Sequence, residues 1–381
     1  GDFRNTKIVV RSGSTLESSA AEMVNINEAR SIIVLSPEVD NPDTFVIKTV
    51  LGITNGRHRH AEPYHIVAEI RDERNLEAAE LVGNGEAVYV LSEDLISRVI
   101  AQTCRQSGLS VVYSDLLEFE GDEIYFEALP DQLVGKTYQD SLFAYEDSAI
   151  IGIYTADGDV LINPPGDRIL EAGESVIAIS EDDDTVIPNG RADVRIDSDI
   201  FNHSQYNALN AENTLVLGWN DKGSRILAEL DNYVREGSRV LVVADDEAAG
   251  AEVAELQSRL VCQQIAFRRG DVSEKQTLLS IDTENYDHII VLSNRDIDIQ
   301  ESDAKTLISL LHLRSIGESA GREYSIVTEM LDMRNRELGV VAKADDFVVS
   351  DNLISLMLSQ LSENRELKKV YDVLFQSEGS E

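Results

Sequence analysis

From Asn213 to Phe375 the chain alternates short apolar runs with stretches whose apolar residues fall at helical spacing. The runs are TLVLGW, RVLVVAD, QQIAFRRGD, HIIVLS, YSIVTEM and DDFVVS. Continuously apolar strands suit a parallel sheet buried on both faces, and the helices between them are the crossovers such a sheet needs. Six strands in a βαβ series predict a doubly wound, Rossmann-type domain over residues 213–381.

The same pattern occurs earlier in the chain. IVVRSGS (Ile8 to Ser14) returns as IAFRRGD (Ile265 to Asp271), and IIVLS (Ile32 to Ser36) returns at Ile289 to Ser293, both at an offset of 257. HIVAEIRDERN (His65 to Asn75) returns as SIVTEMLDMRN (Ser325 to Asn335) at 260, and LSEDLIS (Leu91 to Ser97) as VSDNLIS (Val349 to Ser355) at 258. Four matches in one order indicate a duplicated unit whose spacing drifts only in loops. Residue 1 aligns with 258, and 258 − 213 = 45, so the first copy, residues 1–116, lacks counterparts of the first strand, first helix and second strand. A sheet cut there presents an apolar edge, and we expect the chain to be part of something longer.

Residues 117–188, between the copies, differ in character. EIYFEAL, AIIGIYTADGDVLIN and SVIAIS are short, β-rich and punctuated by Asp157-Gly158 and Pro164-Pro165-Gly166, which predicts a small α+β module. A polar linker is expected over residues 189–212.

Charge narrows the function classes. With 33 Lys and Arg against 70 Asp and Glu the net charge is −37, which repels phosphate backbones and anionic lipid; nucleic acid is excluded as a main partner and divalent cations fit better. The same balance also suits a chain adapted to high salt. Two cysteines, Cys104 and Cys262, give neither a disulfide framework nor a thiolate zinc site. No apolar run approaches the ~18 residues of a membrane span, so the chain itself is expected to be soluble.

Several separated motifs point to one family. VVRSGSTL, ARSIIVLSPE, GNGEAVYVLSEDLISRVIAQTC and GDRILEAGESVIAISEDDDT, followed by LGWNDKG and FVVSDNLISLMLSQL, resemble the regulatory region of the CASTOR and POLLUX family of cation channels. The resemblance implies α/β architecture: tandem doubly wound Rossmann-type RCK domains with a TrkA-C-like module between them. It further implies a homo-tetrameric, calcium-regulated gating ring on the cytoplasmic face of a membrane, below a transmembrane pore domain absent from this chain. The apolar stripes Leu95, Ile96, Val99, Ile100 and Leu353, Ile354, Met357, Leu358, Leu361 read first as helices packed on their own sheets. By the resemblance they also cross to a partner unit.

Two sets of residues are candidate sites. Gly218, Asn220 and Gly223 stand in the turn of a dinucleotide fingerprint, with Asp245 placed for a ribose hydroxyl at the end of the second strand. Asn220 replaces the middle glycine, so the glycines read first as turn and packing residues and second as an NAD site. Glu69 and Asp72 close one strand, and Glu329 and Asp332 close its repeat. Strand ends are where open α/β sheets take ligands, and hard carboxylate oxygens suit calcium, although a pair needs further ligands. The alternative is that Glu69 pairs with Arg71 or Arg74 and the repetition is a relic of duplication. Glu181 to Asp184 lacks EF-hand order and reads as a solvated turn, and the loop His58-Arg59-His60 carries no assigned role.

Catalysis finds no motif: GxSxG, HExxH and GxxxxGK[ST] are all missing, and the module at 117–188 has no His and one Lys, Lys136. The expectation is a non-catalytic ligand sensor. The alternatives are a TrkA-like NAD-responsive regulator of potassium uptake and an NAD-dependent oxidoreductase.

Overall fold

A computed structural model describes residues 6–15, 22–57, 59–190, 211–335, 338 and 346–376. Two compact units emerge, and neither is continuous in sequence. Unit 1 comprises Gly1–Asp94 with Met357–Lys368, and unit 2 comprises Leu95–Leu356 with Lys369–Glu381.

Unit 1 carries a parallel sheet in the order β1 (Ile32–Val34), β2 (Ile66–Ile70), β3 (Ala87–Leu91), with crossover helices α1 (Pro42–Thr54) and α2 (Leu76–Gly83). Val46, Val50, Ile66, Ala68, Ile70 and Ala79 form its core. The run Ile8 to Ser14, expected as a strand, joins no strand ladder among the described residues, and Ile8, Val9 and Val10 are exposed. Its repeat in the second half lies in a strand, Gln263–Arg269, that pairs in parallel with Ser238–Ala244, the neighbour that supplies its backbone hydrogen bonds.

Unit 2 contains α3 from Leu95 onward (Ser92–Arg105), α4 (Leu109–Leu117), the middle module and the second doubly wound sheet. The module is antiparallel in the order β4 (Glu123–Ala128), β7 (Ser175–Ser180), β5 (Ala149–Tyr154), β6 (Val160–Ile162), with a short helix α5 (Tyr138–Ser141). Gly158 turns the β5–β6 connection at φ +87°, which a side chain rarely adopts. Of the linker expected at 189–212, residues 191–210 lie outside the described residues.

All six strands expected of the second half form: β8 (Asn213–Leu217), β9 (Ser238–Ala244), β10 (Gln263–Arg269), β11 (His288–Val291), β12 (Ser325–Met330) and β13 (Asp346–Val349). Between and after them run α6 (Gly223–Asp231), α7 (Glu247–Gln257), α8 (Lys275–Leu279), α9 (Ile299–Ala320), α10 (Ser350–Glu363) and α11 (Leu367–Leu374). The sheet order β10-β9-β8-β11-β12-β13 reverses between β8 and β11, the switch point of a doubly wound fold. The duplication holds at the level of hydrogen-bond register. Ile32 pairs with Ile66 as Ile289 pairs with Ile326, and Val67 pairs with Val88 as Val327 pairs with Asp346.

The helices after the last strand of each sheet do cross. Inside unit 1, the late-chain segment is held by Nε2 of His65, which donates to Leu361 O at 2.9 Å, by Arg365 to Gly85 O at 2.9 Å, and by the Arg30–Glu363 ion pair at 2.6 Å. Inside unit 2, α3 and α4 dock on the second sheet. Arg105 pairs with Glu212 at 2.8 Å, Gln102 donates to Tyr233 Oη at 3.0 Å, and the Asp346 carboxylate accepts from Gly108 N at 2.8 Å and Ser110 Oγ at 2.6 Å. Gly108 is the N-cap of α4 and has no side chain to cap with, so Asp346 on β13 supplies the acceptor. Among the described residues, no helix is long and apolar enough to cross a membrane.

Candidate functional site

The strand ends at the β8/β11 switch point are where the sequence placed its nucleotide fingerprint. Gly218 leaves β8 at φ +86°, and a Cβ there would stand 2.4 Å from Leu292 O, so the turn and the close approach of β11 both require glycine. Gly223 opens α6, where a Cβ would lie 2.7 Å from the Trp219 ring. Trp219 is buried, and its Nε1 donates to Glu252 on α7 at 2.8 Å. Both glycines therefore have reasons inside the protein.

Asn220, in the place of the middle glycine, is held from three sides. Its Nδ2 donates to Ser293 O and to Glu329 Oε2, both at 2.8 Å, and its Oδ1 accepts from Lys222 N at 3.0 Å. The amide thus bridges the mouth between β8 and β11 where a fingerprint leaves room for pyrophosphate. Asp245 ends β9 exposed, and Arg269 Nε meets its carboxylate at 3.2 Å.

Glu329, expected as a cation ligand, lies at the centre of this network. Lys222 Nζ and Ser350 Oγ each donate to its Oε1 at 2.8 Å, and Arg295 Nη2 stands 3.6 Å away. Burial pushes the Glu329 carboxyl up, but the charges of Lys222 and Arg295 and the hydrogen bonds of Lys222 and Ser350 outweigh it. The group ends below the ordinary carboxylate range. Asp332 is separately engaged by Arg334 through its backbone N at 2.9 Å and its guanidinium, and by Gln300 Nε2 at 2.6 Å. The Arg334 hydrogen bonds hold its carboxyl far below the usual range. Glu329 and Asp332 therefore serve different partners.

The first half repeats half of this picture. Asp72 is bound by Arg74 as Asp332 is by Arg334, with contacts of 3.0 Å to N and 2.5 Å to Nη2. Glu69 accepts from Ser36 N at 3.1 Å and has Arg71 Nε at 3.7 Å. Among the described residues, three acidic ligand atoms come together only at Asp182, Asp183 and Asp184, all exposed, where Asp182 caps the turn by accepting from Asp183 N at 2.8 Å. His58 lies outside the described residues.

Sequence reasoning missed two buried aspartates. Asp43 accepts from Arg71 N at 2.9 Å, Asp72 N at 2.9 Å and Asn75 Nδ2 at 2.8 Å. Asp303 does the same for Leu331 N, Asp332 N and Asn335 Nδ2 at 3.0, 3.0 and 2.8 Å. Each clamps the loop that carries the Asp–Arg pair. They stand 260 residues apart, the offset of the neighbouring repeat, so extending that match into the preceding helices would have found them.

Comparison with known proteins agrees with this architecture. A family described as "Castor and Pollux, part of voltage-gated ion channel" matches residues 93–196, and the TrkA-N domain matches residues 214–350. The Arabidopsis thaliana "Probable ion channel POLLUX" is 28% identical over 422 residues, spanning 100% of this chain and 50% of its own length. The "Probable ion channel CASTOR" of Oryza sativa subsp. japonica is 29% identical over 419 residues (100% and 46%). The "Ion channel CASTOR" of Lotus japonicus is 28% identical over 418 (100% and 48%). The chain thus spans about half the length of these relatives. Among solved structures, the human SLO3 gating ring superposes with a TM-score of 0.69 at 17% identity, covering 96% of this chain and 76% of that one. A GsuK channel bound to NAD gives 0.51 at 16% identity, covering 95% and 56%. At such identities these structures speak for the fold alone. They bear out tandem RCK-type α/β architecture, and the relatives are named as channels rather than enzymes.

Proposed function

We propose that this chain, a relative of the CASTOR and POLLUX ion channels along its whole length, is the calcium-sensing regulatory module of such a channel, coupling ligand binding to a pore. The observation that carries the reading is the exchange of helices between the halves. Residues Met357–Lys368 belong to unit 1, and α3 from Leu95 belongs to unit 2. A ligand that prefers one arrangement of such exchanged elements shifts the population of that arrangement, which is what a gating device requires. Four such chains in a ring on the cytoplasmic face of the membrane would present the module to the pore.

Calcium is supported by the net charge of −37 and by carboxylates at strand ends. Glu69 is our principal ligand: its Oε1 stands 3.7 Å from Arg71 Nε, whereas Asp72, Asp332 and Glu329 are closely paired with Arg74, Arg334 and Lys222. Nucleotide is the second reading, at Gly218, Asn220, Gly223 and Asp245. It is favoured by the RCK-type fold shared with the NAD-bound GsuK channel and opposed by the Asn220 bridge.

Calorimetric titration of the whole chain tests both. We expect saturable calcium heats that Glu69→Ala reduces at least tenfold in affinity, and no NAD heats. Calcium heats unchanged by Glu69→Ala would remove that carboxylate, and saturable NAD binding lost on Asp245→Ala would favour the second reading.

A further inference from the structure

The second sheet buries a charge pair for which ligand sensing has no use. The Lys222 and Glu329 side chains are 1% and 0% exposed, with Nζ 2.8 Å from Oε1. Lysine is almost never fully buried unless paired, and in some proteins a buried pair serves to fix one geometry against others.

We propose that this pair fastens the root of α10. In the crevice where an open α/β sheet takes its ligand, the Lys222 ammonium acts as a resident cation that neutralises Glu329. The charge-paired carboxylate then holds Ser350, the first residue of the helix whose later turns belong to unit 1.

Three segments converge on one carboxylate. Lys222 and Asn220 come from the β8–α6 turn, Glu329 from β12 and Ser350 from α10. The Ser350 hydroxyl reaches the same Oε1 that Lys222 occupies, so its acceptor keeps its charge and position only while the ammonium is in place. Arg295 at 3.6 Å adds attraction without a hydrogen bond. The repeat is asymmetric here. Glu69, the counterpart of Glu329, has an arginine at 3.7 Å and a backbone donor in place of a buried ammonium. A dissolved cation that engaged Glu329 would have to displace Lys222 and with it the hold on α10. This inference depends on the fold and the crevice alone, so failure of the calcium reading leaves it standing.

Hydrogen exchange on the whole chain tests it, with Lys222→Met, Glu329→Gln, the double variant and Ser350→Ala. Ser350→Ala leaves the ion pair intact and should raise exchange over Ser350–Leu356 by about three- to tenfold while β8 and β11 stay protected. Lys222→Met should raise it at least about tenfold, and the double variant, which removes both members of the close pair and leaves only the part-exposed Arg295 guanidinium beside it, should return to within about threefold of wild type. Unchanged exchange over Ser350–Leu356 in Ser350→Ala would overturn the proposal. So would a Lys222→Met effect spread evenly over the sheet and left unrescued by Glu329→Gln. If Lys222→Met does not fold, Ser350→Ala and the double variant decide the matter.

Discussion

Replacing Asp346 by valine, the residue that occupies the matched register position as Val88 in the first half, isolates the docking of α4 on the second sheet. The carboxylate is buried and accepts from Gly108 N and Ser110 Oγ. Valine nearly preserves volume but strands both donors, at about 1–3 kcal/mol each, and removes a negative charge from the amino end of α4, at about 0.5–1 kcal/mol. The sum, about 2.5–7 kcal/mol, is a large share of an ordinary domain's stability of about 5–15 kcal/mol. With a urea m-value of about 2–3 kcal/mol/M, the unfolding midpoint of unit 2 should fall by about 1–3 M. The chain has a single tryptophan, Trp219, which lies in unit 2, so its emission follows this transition selectively. Ser110→Ala alone should lose only about 1 kcal/mol, and because it removes one of the stranded donors, adding it to Asp346→Val should cost nothing further. A midpoint shift below about 0.3 M for Asp346→Val, or full additivity with Ser110→Ala, would refute the reasoning.

Two further outcomes follow from the same contacts. Gly223→Ala sets a helix-propensity gain of up to about 1 kcal/mol against overpacking on the Trp219 ring of about 1–3 kcal/mol, so the variant should be less stable and its tryptophan emission should move. A more stable protein with unchanged emission would show that Trp219 yields freely. His65 is shifted down from its usual value chiefly by burial, so the unfolded chain takes up its proton first as pH falls. Its contribution is fully present above about 6.5 and fades as pH drops through the lower folded value. Protection of Met357–Lys368, corrected for intrinsic exchange, should therefore decline between pH 7 and 5 in wild type, and not in His65→Gln.

Apolar periodicity and the repeat carried most of the fold, because a sheet buried on both faces writes its strands as unbroken apolar runs and its copies keep register. Ile8 to Ser14 shows where that rule stops. Its composition matches β10, but a strand exists only where a neighbour accepts its hydrogen bonds. The site was half legible. GWNDKG drew attention to its glycines, whereas its lysine is the residue that goes inward, and a buried lysine cannot be told from a surface one until its partner, 107 residues away, is in place. Glu329 stands at a strand end, as its place in the sequence pattern implies, but position alone does not say whether a carboxylate faces a cation from solution or one from its own chain. The role of Asp346 is hidden in the sequence for a similar reason, since both its donors come from one helix start in the other half.

The most direct test of the central claim is electrical. In a chimera, residues 1–381 replace the matching segment of the Lotus japonicus CASTOR channel, and cation currents are recorded while calcium is varied on the side bearing the module. Open probability should follow calcium, with a midpoint displaced by Glu69→Ala and a shallower response in Asp346→Val. A chimera that conducts normally with an open probability indifferent to calcium would contradict it.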